Sequence, residues 1–157
     1  IMNRFTRPLV GLLFVGATLS CFVNTSSVEA AGYYRQSYSS WTYHPVRRYY
    51  YCRYNYHPVV RATTYHHHYV IHYPSRPRYA YYYNPVRRVY WGRYDLQEGG
   101  YSMLKKEDQK GDLDAIPEKA FPEPSDMPPI PESTDDVAMA KPSLEGLPKV
   151  EAATDSP

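Results

Sequence analysis

Between Ala31 and Tyr101 the chain contains no phenylalanine, no lysine and only eight residues of the Leu, Ile and Val kind. A conventional aliphatic core is thereby excluded for this stretch. The whole chain has two cysteines, Cys21 and Cys52. If Cys21 leaves with a leader, no internal disulfide framework exists, and Cys52 either pairs with another chain, giving a homodimer, or stays a buried or free thiol. The sequence also lacks G-x-S-x-G, a phosphate-cradling glycine loop and H-E-x-x-H. Acids are scarce in the block as well, Asp95 and Glu98 standing close together at a turn. Cys52 with His44 or His57 can be drawn as thiol and base, but a lone Cys near His in a tyrosine-rich repeat reads as packing. The chain therefore reads as a non-enzyme with no catalytic residues.

What is present falls into three parts. Arg4 and Arg7, the apolar run Leu9 to Val23 and the small-residue site Val28-Glu29-Ala30-Ala31 have the order of a secretory signal peptide over 1–30. The run is shorter than the roughly 18 apolar residues a membrane span requires, so cleavage after Ala30 leaves no stable transmembrane span. Thr18-Leu19-Ser20-Cys21 resembles a lipidation signal with its leucine one place too near the Cys. Residues 31–104 carry all nineteen tyrosines, both tryptophans and ten of the arginines. Residues 105–157 carry six lysines, no arginine and thirteen acids, with nine of the fifteen prolines. The near-neutral total thus hides an arginine cation joined to a carboxylate anion.

An internal repeat organises the middle part. Tyr43-His44-Pro45-Val46-Arg47-Arg48-Tyr49-Tyr50-Tyr51-Cys52-Arg53-Tyr54 returns as Tyr83-Asn84-Pro85-Val86-Arg87-Arg88-Val89-Tyr90-Trp91-Gly92-Arg93-Tyr94, identical at eight of twelve positions. A shorter echo, Tyr56-His57-Pro58-Val59, lies between them. Tyrosine favours strands, and Pro45, Pro58, Pro74, Pro77 and Pro85 fall where a missing donor does least harm. The pattern predicts strands over 47–56, 64–73, 78–83, 87–96 and 101–104, the last two joined through Asp95-Leu96-Gln97-Glu98-Gly99-Gly100. The expected fold is mostly β, a small antiparallel Tyr/Arg-rich meander built on the repeat and followed by a disordered acidic Pro-rich tail. Alternation predicts Tyr50, Cys52, Tyr54 and Tyr56 on one face, with Tyr90, Gly92 and Tyr94 on the same face of the second copy. Cys52 then occupies a place for a small buried filler. Arg53 and Arg93 point the other way.

Two constellations could carry binding. Arg47, Arg48, Arg53, Arg87, Arg88 and Arg93 interleave with aromatic rings, and guanidinium groups pair with sulfate, phosphate or carboxylate while phenols stack on sugars or bases. For an exported chain this indicates an acidic or sulfated polysaccharide or another envelope polyanion as partner. The chain's own acidic tail is a competing internal partner. Secondly, His66, His68 and His72 share one side of the predicted 64–73 strand, a spacing that suits zinc or copper. Against that stands the lack of a carboxylate or Cys to close a four-ligand site, which makes weak, adventitious metal binding the plainer reading. No other cofactor is indicated. The tail sets single apolar residues among prolines and acids, too few to offset ordering entropy, so it is expected to be largely disordered.

The run from Tyr73-Pro74-Ser75-Arg76-Pro77 through Tyr90-Trp91-Gly92-Arg93-Tyr94-Asp95-Leu96, with Gly100-Tyr101-Ser102-Met103-Leu104 and Met127-Pro128-Pro129-Ile130-Pro131-Glu132-Ser133, resembles a group of small Tyr-rich exported proteins of planctomycete bacteria. The resemblance implies a bacterial envelope setting and no particular activity or functional residue. Three functions follow as expectations: a polyanion-contacting envelope or extracellular-matrix protein, an extracytoplasmic metal binder, or a crosslinked scaffold. The expected location is secreted, periplasmic or cell surface.

Overall fold

Residues 35–148 are described by the structure, a computed structural model. The signal-peptide segment, its cleavage site and Cys21 lie outside the described residues, as do 149–157 of the tail. The fold is an antiparallel sheet of seven strands: β1 (Gln36–Tyr38), β2 (Thr42–His44), β3 (Tyr49–Tyr56), β4 (His66–His72), β5 (Tyr79–Asn84), β6 (Val89–Asp95) and β7 (Gly100–Met103). From β3 onwards neighbours in sequence are neighbours in space. β1 and β2 share the outer edge of β3, one on each half of it. These two three-residue strands were not anticipated from the sequence.

The repeat is a reused hairpin turn. Its Pro-Val-Arg-Arg segment connects β2 to β3 in the first copy and β5 to β6 in the second, with Arg48 and Arg88 in the left-handed region at φ 54° and 57°. The residue before the proline fastens each turn. Asn84 Oδ1 accepts the backbone N–H groups of Val86 and Arg87, both at 2.9 Å, and His44 Nδ1 accepts that of Arg47 at 3.4 Å. Both turns point a valine at solvent, Val46 86% and Val86 88% exposed.

Tyrosine supplies the burial on both faces. One face packs Cys52, Tyr54, Tyr56, Val70, Ala80, Tyr82, Trp91, Tyr94 and Tyr101; the other packs Ile71, Tyr81 and Tyr90. Several hydroxyls inside find partners, Tyr54 donating to Gln36 Oε1 at 2.7 Å and Tyr38 pairing with Tyr82 at 2.8 Å, which spares the cost of an unpaired buried group; the Tyr101 hydroxyl has none among the described residues. Cys52 is 1% exposed, and burial pushes its thiol up to about 12. It packs as a filler, and a disulfide to another chain needs the sheet to open first. The expected face of the second copy requires one correction. The β5–β6 register shifts between Tyr82 and Tyr83, so that Gly92 opposes Tyr82 and Tyr90 opposes Tyr83. Trp91 is the extra residue of a bulge; it joins Tyr94 in the first core and sends Tyr90 to the opposite one.

Gly92 sits under the Tyr101 ring, where a Cβ would overlap the phenol. Tyr101 is 1% exposed and cannot swing aside. Gly92→Ala is therefore expected to destabilise the fold by about 1–3 kcal/mol, seen as a melting temperature lower by about 5–15 °C. An unchanged melt would show that the ring has room to move.

Among the described residues, the stretch 105–148 has no helix or strand beyond three single 3₁₀ turns at Lys106–Asp108, Leu113–Ala115 and Glu118–Ala120. The expectation of disorder is nonetheless corrected for 105–148, which follows a defined course around the sheet. Leu113, Ile116 and Phe121 plug one face. The chain then crosses the β7 edge, where Tyr101 and Ser125 exchange two backbone hydrogen bonds of 2.8 and 2.9 Å. Ile130 and Met139 plug the other face, and the last part reaches Gln36 and Tyr38 of β1 and Trp41 just before β2. Few plugs suffice because each enters a ready-made aromatic surface, and proline lowers the entropy of the segments between them. The β7 edge is thereby covered against pairing with other strands.

Candidate functional site

Alternation places Tyr49 and Tyr51 of β3, Tyr69 and Ile71 of β4, Tyr83 of β5 and Tyr90 of β6 on one face, with Tyr73 just past β4. Together with His44, Arg47 and Gly111 they line a groove of about 410 Å³. Its rings meet edge to face: Tyr49 with Tyr73 at 5.5 Å between centroids, Tyr51 with Tyr69 at 6.1 Å, Tyr83 with Tyr90 at 5.0 Å. Edge-to-face packing holds each phenol in place. The Tyr73 and Tyr90 hydroxyls bond each other at 2.9 Å, joining the two ends of the lining. Burial raises the pKa of both, so these phenols act as neutral donors and acceptors and not as bases. Gly111 closes the far end because the Arg88 carbonyl leaves no space for a side chain there. Sequence reading put Tyr90 on the opposite face and did not see a groove. The signal was there in the odd-numbered tyrosines of three successive strands.

The six predicted arginines do not form a single patch. Arg47 lines the groove, and Arg48 stands beside it on the exposed β2–β3 turn. Arg53 is exposed on the same face, opposite Tyr69 in register. Arg87 and Arg88 are exposed on the β5–β6 turn at the opposite end of the sheet. Arg93 is removed from the surface altogether. It is 6% exposed, sandwiched between the Tyr79 ring at 3.7 Å and the Phe121 ring at 4.1 Å, and paired with Glu118. Glu118 is held below the usual carboxylate range by the Arg93 hydrogen bond.

The tail acids choose arginines that the repeat did not single out. Asp114 pairs with Arg76 and Asp135 with Arg35, besides Glu118 with Arg93. Among the described residues none reaches Arg47, Arg48, Arg53, Arg87 or Arg88. Asp95 and Glu98 are also accounted for structurally. The buried Asp95 carboxylate accepts the N–H groups of Gln97 and Glu98 and pairs with Arg78, which Glu98 also reaches. Burial works to raise its pKa, but the Arg78 and backbone bonds win and lower it.

His66, His68 and His72 do face one side of β4, and the structure keeps them apart. Val70 separates the last two. His66 is exposed and lies 3.3 Å from Glu132. His68 is buried against Trp91 with Nε2 3.3 Å from the Tyr56 hydroxyl, and His72 is buried with Nδ1 3.2 Å from the Tyr79 carbonyl. Among the described residues no three His, Cys, Asp or Glu side chains are grouped to hold a metal ion. Compared with known proteins, the chain matches no protein-family model, no curated protein and no solved structure.

Proposed function

We propose that this chain is an exported, non-enzymatic interaction protein of a bacterial envelope or extracellular matrix, which holds an acidic or sulfated polysaccharide along its tyrosine groove. The observation that carries this reading is the groove itself, lined by six tyrosines with Arg47 in its wall and Arg48 and Arg53 beside it. Phenol faces suit the C–H faces of sugar rings, their hydroxyls suit sugar hydroxyls, and guanidinium groups suit sulfate or carboxylate. The leader sequence and the family resemblance support an extracytoplasmic location. The ordered tail refines the idea of an internal competitor: its acids are engaged with Arg35, Arg76 and Arg93, which leaves the groove arginines for an outside anion.

Retention of the full chain on a sulfated-polysaccharide column tests this. The wild-type chain is expected to bind at low salt, and Arg47→Ala with Arg48→Ala is expected to elute at distinctly lower salt, since fewer cations compete with screening ions. Flow-through of the wild-type chain at low salt, or an unchanged elution of the double variant, would sink the reading.

A further inference from the structure

The short echo of the repeat and its second copy end two strands at the same end of the sheet. β3 closes on Tyr56 and runs into His57-Pro58-Val59, and β5 closes on Tyr83-Asn84 and runs into Pro85-Val86. Because Tyr56 pairs with His66 and Tyr83 with Tyr69, the β3–β4 loop and the β5–β6 turn leave the sheet side by side. Tyr65, Val86 and Arg87 line one cavity of about 270 Å³ between them. Each connection passes from valine straight into arginine, as Val59-Val60-Arg61 and as Val86-Arg87-Arg88, and all six residues are exposed, Val60 by 67%. Both tips are held at their base. Arg35 donates to the His57 and Pro58 carbonyls at 3.2 and 2.6 Å, and His57 packs its ring on that of Tyr65 at 3.6 Å between centroids. Asn84 fastens the other turn. We propose that this end of the molecule docks on a lipid bilayer with anionic headgroups, and the proposal stands independently of the polysaccharide reading.

The pairing of valine with arginine selects that partner. A single exposed apolar residue needs no explanation, whereas three valines and the exposed Tyr65 gathered at one end do. A sugar polymer would satisfy the arginines and gain nothing from the valine methyl groups. A bilayer meets both, because its apolar layer begins just beneath its headgroups. Valines that enter it leave water, guanidinium groups beside them pair with headgroup phosphates, and tyrosine favours the boundary itself. The charge around the tips agrees with an anionic surface. Among the described residues no carboxylate pairs with Arg61, Arg87 or Arg88. Of the acids nearby, Asp135 is taken by Arg35 and Glu132 lies against His66. Lys110 and Asp112, on either side of the Gly111 contact with Arg88, offset each other. The opposite end lacks this combination: it exposes one valine, Val46, and its β6–β7 turn carries Asp95 and Glu98.

Co-sedimentation with vesicles tests the proposal, using residues 31–157, the form expected after cleavage, so that the apolar leader does not itself bind. The chain is expected to sediment with vesicles of about 30% phosphatidylglycerol in phosphatidylcholine and about tenfold or more less well with phosphatidylcholine alone. Arg87→Gln with Arg88→Gln is expected to weaken binding about 25-fold, about fivefold for each arginine near the surface. Val60→Asp with Val86→Asp is expected to weaken it about tenfold or more, and Val46→Asp to leave it unchanged. All of these side chains except Val46 lie at the docking end, all are exposed, and circular dichroism is expected to stay the same. Val86→Trp reads entry of the tip directly: its emission is expected to shift to the blue on the anionic vesicles, whereas that of Val46→Trp is not. No sedimentation at about 1 mM anionic lipid, about ten times the level that half-binds a single myristoyl chain, overturns the proposal. So does a loss from Val46→Asp equal to that from the Val60 and Val86 substitutions, or binding that survives those two substitutions with no blue shift for Val86→Trp. A vesicle-free dimer that Val60→Asp with Val86→Asp dissociates would make the tips a contact between two copies and overturns it as well.

Discussion

A chain ending at Leu104 is expected to lose its cooperative thermal transition altogether. It retains every strand, but it removes Leu113, Ile116 and Phe121 from one face and Ile130 and Met139 from the other. Each such side chain contributes about 1.5–3 kcal/mol when fully buried, so their joint loss is on the order of 10 kcal/mol. That rivals the whole stability of a typical domain, about 5–15 kcal/mol. Arg93 would also be left under a vanished lid, its Phe121 stack and Glu118 partner gone. Circular dichroism of the short chain should show a sloping melt, and adding residues 105–148 as a separate peptide should restore a sigmoid. A short chain that melts cooperatively within a few degrees of the intact one would falsify the view of the tail as part of the core. A truncation of this kind therefore cannot be used to unmask the arginines, since it dismantles the surface that carries them.

Acid should weaken the fold well before its carboxylates titrate. Burial, helped by the neighbouring His67 and His66, pushes His68 down to about 3. Burial also lowers His72, against the upward pull of its bond to the Tyr79 carbonyl. In the unfolded chain both titrate near 6.5. Below that pH the unfolded state takes up protons that the folded state refuses, so stability is intact above about 6.5 and falls as pH drops toward the folded values. Each histidine contributes a slope of about 1.4 kcal/mol per pH unit in that window. Lower still, Asp95, Glu118 and Asp135, whose folded pKa values are depressed, lose their own contribution as they protonate. Urea unfolding at pH 7.5 and 5.5 should differ by about 1–3 kcal/mol, with His68 the larger source. His72→Gln should narrow that difference. Equal stability at the two pH values would mean that the buried rings pick up protons without opening the sheet.

Tyrosine periodicity and proline punctuation located five strands within two residues of their observed ends, because alternation along a strand is a local property. The three-residue strands β1 and β2 carry too little sequence to alternate. Trp91 was invisible as a bulge for a related reason: one extra residue reverses every face before it, and only the partner strand reveals it. The six arginines share no single surface for a topological reason. Successive turns of a meander alternate between the two ends of the sheet, so the β2–β3 and β5–β6 turns, three connections apart, lie at opposite ends. Composition misjudged the tail because it averages over residues, whereas docking depends on five placed side chains. The groove, finally, needs the curl of the sheet and the position of Gly111, neither of which a single strand encodes.

The duplicated turn has a consequence for valence. Both copies carry the same exposed valine and arginine pair on the same left-handed bend, held about 20 Å apart by the length of the strands between them. Anything that recognises one tip meets a second at the far end of the same molecule. If the tips bind a polymer as proposed, such a chain would be a two-headed connector, clasping one polymer twice when partner is scarce and bridging two when it is abundant.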